Sequence, residues 1–206
     1  MFIACMDFGE PMNVDTYLVE QAAEHATALL AQLGNRWLHV QGVVQRAYSI
    51  RALFEEEDQQ YLIAAAYLHD IGYAPSLNKT GFHPLDGATY VMESFGNKRL
   101  ASLVAHHSEA TVEARLRGLA HALEAFPREY SAVADALTYC DMTTSPEGIH
   151  ISFEERIAEI LCRYREQDIV SQSIHQATPA LSREVERTGQ LLHKHEINIF
   201  DTVGVV

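Results

Sequence analysis

Leu68-His69-Asp70-Ile71-Gly72 closes the uncharged run Ile63-Ala64-Ala65-Ala66-Tyr67-Leu68. The run is too apolar for an exposed helix and too rich in alanine for a strand. It reads as a buried helix that stops at Gly72, glycine being the usual residue just past a helix C-terminus. Burying adjacent imidazole and carboxylate groups without partners is costly, so something must compensate His69 and Asp70. A divalent metal ion would serve both, since neutral His nitrogen and Asp oxygen are good ligands for first-row ions.

Helical periodicity extends in both directions from this pivot. Upstream, Leu18, Ala22, His25, Ala26, Leu29, Leu30 and Leu33 recur at three and four, predicting a helix over 13–33 with Asn13 or Asp15 as its cap and Gly34 as its stop. A second helix is predicted over 37–54, with His39 near its start, and the acidic stretch Glu55 to Asp58 leads into the pivot helix. Carboxylates there suit the positive end of the helix dipole. Downstream, a loop over 73–82 precedes His83-Pro84, which opens a helix to Gly96. The next, over 97–108, ends in His106-His107.

A charged helix is predicted over 111–126, stopped by Pro127, and an apolar one over 130–142 that ends at Asp141. Ser152 and Glu155 form a capping-box pattern for a helix to about 164. Its residues Glu154, Glu155, Arg156, Glu159, Arg163 and Arg165 read as a solvated face. A last helix is expected over 179–195. With no repeat and no alternating strands, the fold class is all-α.

The length of 206 residues predicts one domain spanning 1–206, with a motif-bearing core over about 37–142 and a C-terminal helical extension over about 143–206. That extension could close over the site or form a homodimer contact. The net charge of -13 argues against nucleic-acid binding, which needs Lys and Arg against phosphates. It is compatible with a small phosphorylated substrate, because a bound metal inverts the local field. Cys5, Cys140 and Cys162 are odd in number and lack a CxxC spacing, which predicts reduced, mostly buried thiols of a cytoplasmic protein. The apolar start over 1–6 is too short for a signal sequence, and no later run nears the roughly eighteen apolar residues of a span, so no membrane association is expected.

Five items carry chemistry: His39, His69-Asp70, His83, His106-His107 and Asp141. Any one of them alone would read as a satisfied core or surface residue. Together they fall at helix starts and ends, where helices can converge on one point and project side chains inward to a metal. Adjacent helical residues differ by about 100° in direction, so both members of a doublet can face one ion only if it lies off the helix end. His25, His121, His150, His175, His193 and His195 have no such support and read as structural or exposed. Arg46, seven residues after His39, could share its helix face and reach a phosphate, although an exposed or ion-paired arginine is the plainer reading.

The ordered set His39, His69-Asp70, His83, His106-His107 and Asp141 resembles the HD-domain superfamily of metal-dependent phosphohydrolases, with Leu68-His69-Asp70-Ile71-Gly72 as its most recognisable piece. The resemblance covers about 37–142. It implies an all-α HD-type bundle and a first metal held by His39, His69, Asp70 and Asp141. His83, His106 and His107 match the subset with a second ion, which Asp70 would bridge. The implied cofactors are two divalent ions, iron, manganese or another first-row metal. The implied reaction is hydrolysis of a nucleotide or small phosphate ester by metal-activated water. Asp70 would orient that water, and His107 would protonate the leaving oxygen if it does not ligate. Many relatives acting on phosphodiesters carry lysine directly after the His-Asp-x-Gly segment, where this chain has Tyr73. Lys79 is the candidate substitute, as a substrate-binding residue beside Arg46. Two other readings stand next to hydrolysis: a dinuclear iron oxygenase on the same scaffold, and a non-catalytic protein that binds metal or ligand.

Overall fold

In the computed structural model, residues 14–195 are described, and Cys5, the Asn13 cap and the apolar end after 195 lie outside them. The described chain is helical: α1 Val14–Leu30, α2 Asn35–Ile50, α3 Glu56–Leu68, α4 His83–Phe95, α5 Lys98–His106, α6 Ala110–Leu116, α7 Ala120–Leu123, α8 Ala132–Met142, α9 Phe153–Arg163 and α10 Ile169–Lys194. No strand occurs among the described residues; one antiparallel bridge, Thr144 with His150, closes the turn after α8.

Helix α3 is the axis. Leu62, Ile63, Ala64, Ala65, Ala66 and Leu68 are all buried, and α1, α2, α5 and α8 pack around them. The three alanines leave room for neighbouring helices to come close on several sides, as expected where the second half of a helix is apolar all round. Valines 40, 43 and 44 of α2 and Ala136, Leu137 and Cys140 of α8 complete this core. A second, smaller apolar cluster forms from Met142, Ile160, Ala177 and Leu181, where α9 and α10 meet the end of α8.

Several boundaries differ from the sequence reading for physical reasons. Helix α3 ends at Leu68, not at Gly72; His69 and Asp70 follow it, and Ile71–Tyr73 form a 3-10 turn. Gly72 is required for space instead: a Cβ there would run into the His83 carbonyl and the Gly87 amide, so α4 could not approach. The helix predicted over 111–126 breaks into α6 and α7 at Gly118, whose φ of 72° is left-handed. The last helix starts at Ile169 and runs through Pro179. Proline forfeits a backbone hydrogen bond there, while Ala177 and Leu181 on either side are buried. Ser131 caps α8, and Ser152 with Glu155 forms the expected capping box of α9. Cys140 is buried as anticipated, whereas Cys162 is exposed.

Candidate metal centre

Five elements deliver side chains to one point. α2 presents His39 about one turn after its start, the end of α3 presents His69 and Asp70, the first residue of α4 is His83, the end of α5 leads to His107, and the last turn of α8 carries Asp141. The ligand atoms of His39, His69 and Asp70 lie within 4.8 Å of one another, and so do those of Asp70, His83 and His107. Asp70 is common to both groups. Its Oδ2 is 3.9 Å from His39 Nε2 and 3.4 Å from His69 Nε2, while its Oδ1 is 3.2 Å from His83 Nε2. Asp141 Oδ1 stands 3.0 Å from His39 Nε2.

The imidazoles are oriented from behind. Nδ1 of His39 donates to the Ser145 carbonyl at 3.1 Å, that of His69 to the Ala66 carbonyl at 2.8 Å, and that of His107 to the Val104 carbonyl at 2.7 Å. Each ring is thereby fixed with its Nε2 facing the cluster, the arrangement by which proteins set histidine for metal binding. His107 Nε2 lies 3.2 Å from His83 Nε2. His69 Nε2 is buried and makes no hydrogen bond. A buried nitrogen left without a partner at the centre of a His/Asp cluster is a position that a divalent cation would satisfy, so the residues fit a metal ion.

Electrostatics support this arrangement. Burial alone would raise the Asp70 carboxyl, but Arg36, His69 and His83 outweigh it and hold it well below the usual range. For Asp141 burial is likewise overcome, by the hydrogen bond from His39, by His69 and by Arg156. Both are ionised acceptors. The His107 imidazole goes the other way, pushed down to about 4 by burial and by His83 and His69. It is neutral at ordinary pH, the form that ligates.

His106 is not brought to the cluster. Its Nε2 donates to the Phe126 carbonyl at 2.6 Å and its Nδ1 faces Thr111 Oγ1 at 3.2 Å, so the two rings of the doublet point into different regions. The expected ligand role for His106 is corrected on that ground. Arg46 is also displaced from its expected place: it is buried beside the Tyr139 ring, 5.6 Å from guanidinium carbon to centroid, and does not line the cavity at the cluster. Lys79 is exposed and engages Asp86 only through its backbone amide.

Other residues take the positions those two were expected to fill. The cavity at the cluster, about 280 Å³, is lined by Arg36, Arg117, Arg156 and Arg163. Arg36 pairs with Asp70 and lies over the Tyr73 ring, 3.9 Å from its centroid. Tyr73 in turn stacks on His83, centroids 4.1 Å apart. The tyrosine standing at the lysine position thus props one candidate ligand and one cation. Desolvation in the cavity and the nearby Asp70 push its phenol up, so it stays neutral. Arg156, expected on a solvated face, is buried, pairs with Glu159 at 2.6 Å and approaches Asp141 to 3.8 Å. Ser108 hydrogen-bonds the other oxygen of Asp141. Ser108 and the next residue, Glu109, have φ of 48° and 58°, left-handed backbone that costs about 1–2 kcal/mol for a residue with a Cβ. Arg36 had a signal in the sequence, lying one helical turn before His39; nothing local marks the others.

The family model described as HD domain matches residues 36–164. That span is well over half of the chain, and the chain belongs to the HD-domain family, whose members are generally metal-dependent hydrolases. No curated protein and no solved structure matches the chain. No helix among the described residues is long and apolar enough to cross a membrane.

Proposed function

We propose that this HD-domain chain hydrolyses phosphate esters, either a nucleotide or another small phosphorylated molecule. The observation that carries the reading is the charge of the cavity. In a chain of net charge -13, four arginines line the cavity against the acids Asp70, Glu113 and Asp141, two of which are candidate metal ligands. A cavity of that sign suits an anion, and the planar guanidinium fork suits phosphate oxygens above others.

One ion held by His39, His69, Asp70 and Asp141, and a second held by Asp70, His83 and His107, would polarise the phosphoryl oxygens and render water nucleophilic near neutral pH. The chain's own residues supply the rest. Asp70 and Asp141 are held ionised and accept hydrogen bonds without needing to lose a proton first. His107 is neutral and donates its only N–H to Val104, which favours it as a ligand over a proton donor. Arg36, Arg156 and Arg163 line the cavity and would take charge spreading over the phosphoryl oxygens. Ile160, Val170 and Ile174 of α9 and α10 form an apolar wall that would exclude water and seat the organic part of the ester.

The test is release of phosphate from nucleoside mono- and diphosphates and sugar phosphates, and of the aryl alcohol from aryl phosphodiesters, with Mn²⁺ present and oxygen excluded. Release that depends on Mn²⁺ is expected. Oxygen uptake by the iron-loaded protein with no ester cleaved would overturn the reading.

A further inference from the structure

The left-handed pair Ser108–Glu109 follows His107 directly, and what holds it comes from distant parts of the chain. Glu109 is clamped by both ends of the Arg128 guanidinium, at 2.9 and 2.7 Å. Arg128 is in turn bonded to Glu184 of α10 at 3.1 Å. Glu184 is buried and also takes a hydrogen bond from Thr138, one turn before Asp141 on α8. On the other side of the same two residues, Ser108 bonds Asp141 and His107 faces His83. α10 lies beyond the region matched by the HD-domain model, which ends at residue 164.

We propose that Arg128, braced by Glu184 of the C-terminal helix, is a positioning residue for the metal centre. By gripping Glu109 it keeps Ser108–Glu109 left-handed, and that turn aims His107 at Asp70 and Ser108 at Asp141. The physical argument is that residues with a Cβ leave this backbone region when nothing restrains them. A helical backbone at 108–109 would carry α5 onward and turn Ser108 away from Asp141. The bidentate fork fixes both position and orientation of the Glu109 carboxylate, which a single hydrogen bond would not. Here the segment beyond the family match supplies the brace.

The proposal rests on the metal-site reading but not on the phosphate-ester chemistry. It is tested with the full chain and Mn²⁺ alone, by titration calorimetry. Arg128→Ala is expected to weaken Mn²⁺ binding about tenfold or more, the range typical of lost outer-shell support. Arg128→Lys, which keeps the charge but not the fork, should fall in the same direction and serves if the alanine variant does not fold. Glycine takes positive φ freely, so adding Glu109→Gly to either variant should restore affinity to within about threefold of wild type. No such rescue is expected if Arg128 merely stabilises the fold. Unchanged binding in a folded Arg128 variant, or no rescue by Glu109→Gly, overturns the positioning role while leaving the metal site standing. A wild-type chain that binds no Mn²⁺ overturns the metal-site reading and this proposal with it.

Discussion

Two cavities flank the His106-His107 doublet, and they differ in a way that volume does not reveal. The one at the His/Asp cluster is about 280 Å³; the one reached by His106, between α5, α8 and α10, is about 480 Å³. In the larger cavity the polar groups answer one another. Arg187 grips Asp135 with two bonds of 2.6 Å, Arg128 grips Glu109, and His106 uses both nitrogens on Phe126 and Thr111. Behind the smaller one His69 Nε2 is left with no hydrogen bond, and carboxylates stand among the imidazoles. Buried polar atoms are normally satisfied; of those that are not, on Arg46, Gln60, His69, Arg156 and Ser171, His69 Nε2 is the one within 4.8 Å of other candidate ligand atoms.

That contrast is most easily broken at Asp70, the residue common to both ligand groups. Asp70→Ala should lower Mn²⁺ affinity by about 100-fold or more, above the cost of outer-shell changes, with metal content per chain falling to background by elemental analysis. His193→Ala, at an exposed position on α10, should leave both measurements unchanged. An Asp70→Ala chain that still purified with metal would move the site elsewhere.

The doublet sharpens the contrast within two adjacent residues. His107→Ala should weaken Mn²⁺ binding about tenfold or more. His106→Ala should keep it within about threefold and instead lower unfolding stability by about 1–3 kcal/mol, since the Phe126 carbonyl loses its donor. Equal losses of affinity in both variants would put His106 back into the metal centre.

The smallest effect expected is one of pH, and the two cavities should show it with opposite sign. Burial and the neighbouring Glu109 push the Glu184 carboxyl up to about 7. The folded chain therefore keeps a proton that the unfolded chain releases at the ordinary glutamate value, and stability falls as pH rises from about 4.5 towards about 7. Asp70 and Asp141 are held down instead. Their contribution is present above the ordinary aspartate range and is lost as pH falls through it. Glu184→Gln should flatten the slope above about pH 4.5 and leave the acid limb in place. Denaturant midpoints across the pH range would measure both limbs; an unaltered slope would show that Glu184 does not hold the extra proton.

Much of this centre was legible because its ligands fall where elements begin and end. His69-Asp70, His83, His107 and Asp141 sit at helix boundaries that Pro84 and the apolar periodicity announce, and His39 follows from the α2 pattern. Periodicity could not separate His106 from His107, because the direction of each ring is set by the backbone after α5. Ser108 and Glu109 carry no glycine to mark the left-handed turn there. Arg156 shows the complementary limit. Its helix reads as charged and solvated, yet α10 and the end of α8 cover that face, and only a contact between segments far apart in sequence could reveal it. Gly72 was noticed for the wrong reason, as a helix stop, when its use is to let the backbone of α4 come near.

By itself the sequence determined the all-α class, the buried α3, the capping of α9 and the ordered His/Asp set. These depend on local periodicity and on the chemistry of residue types, which neighbours in sequence decide. Tertiary structure alone decided which imidazole of the doublet faces Asp70, which arginines line the cavity, that Arg46 and Lys79 do not, and that α10 braces the turn after His107. Those outcomes depend on distances between side chains brought together by packing, and on which polar groups find partners once water has been excluded.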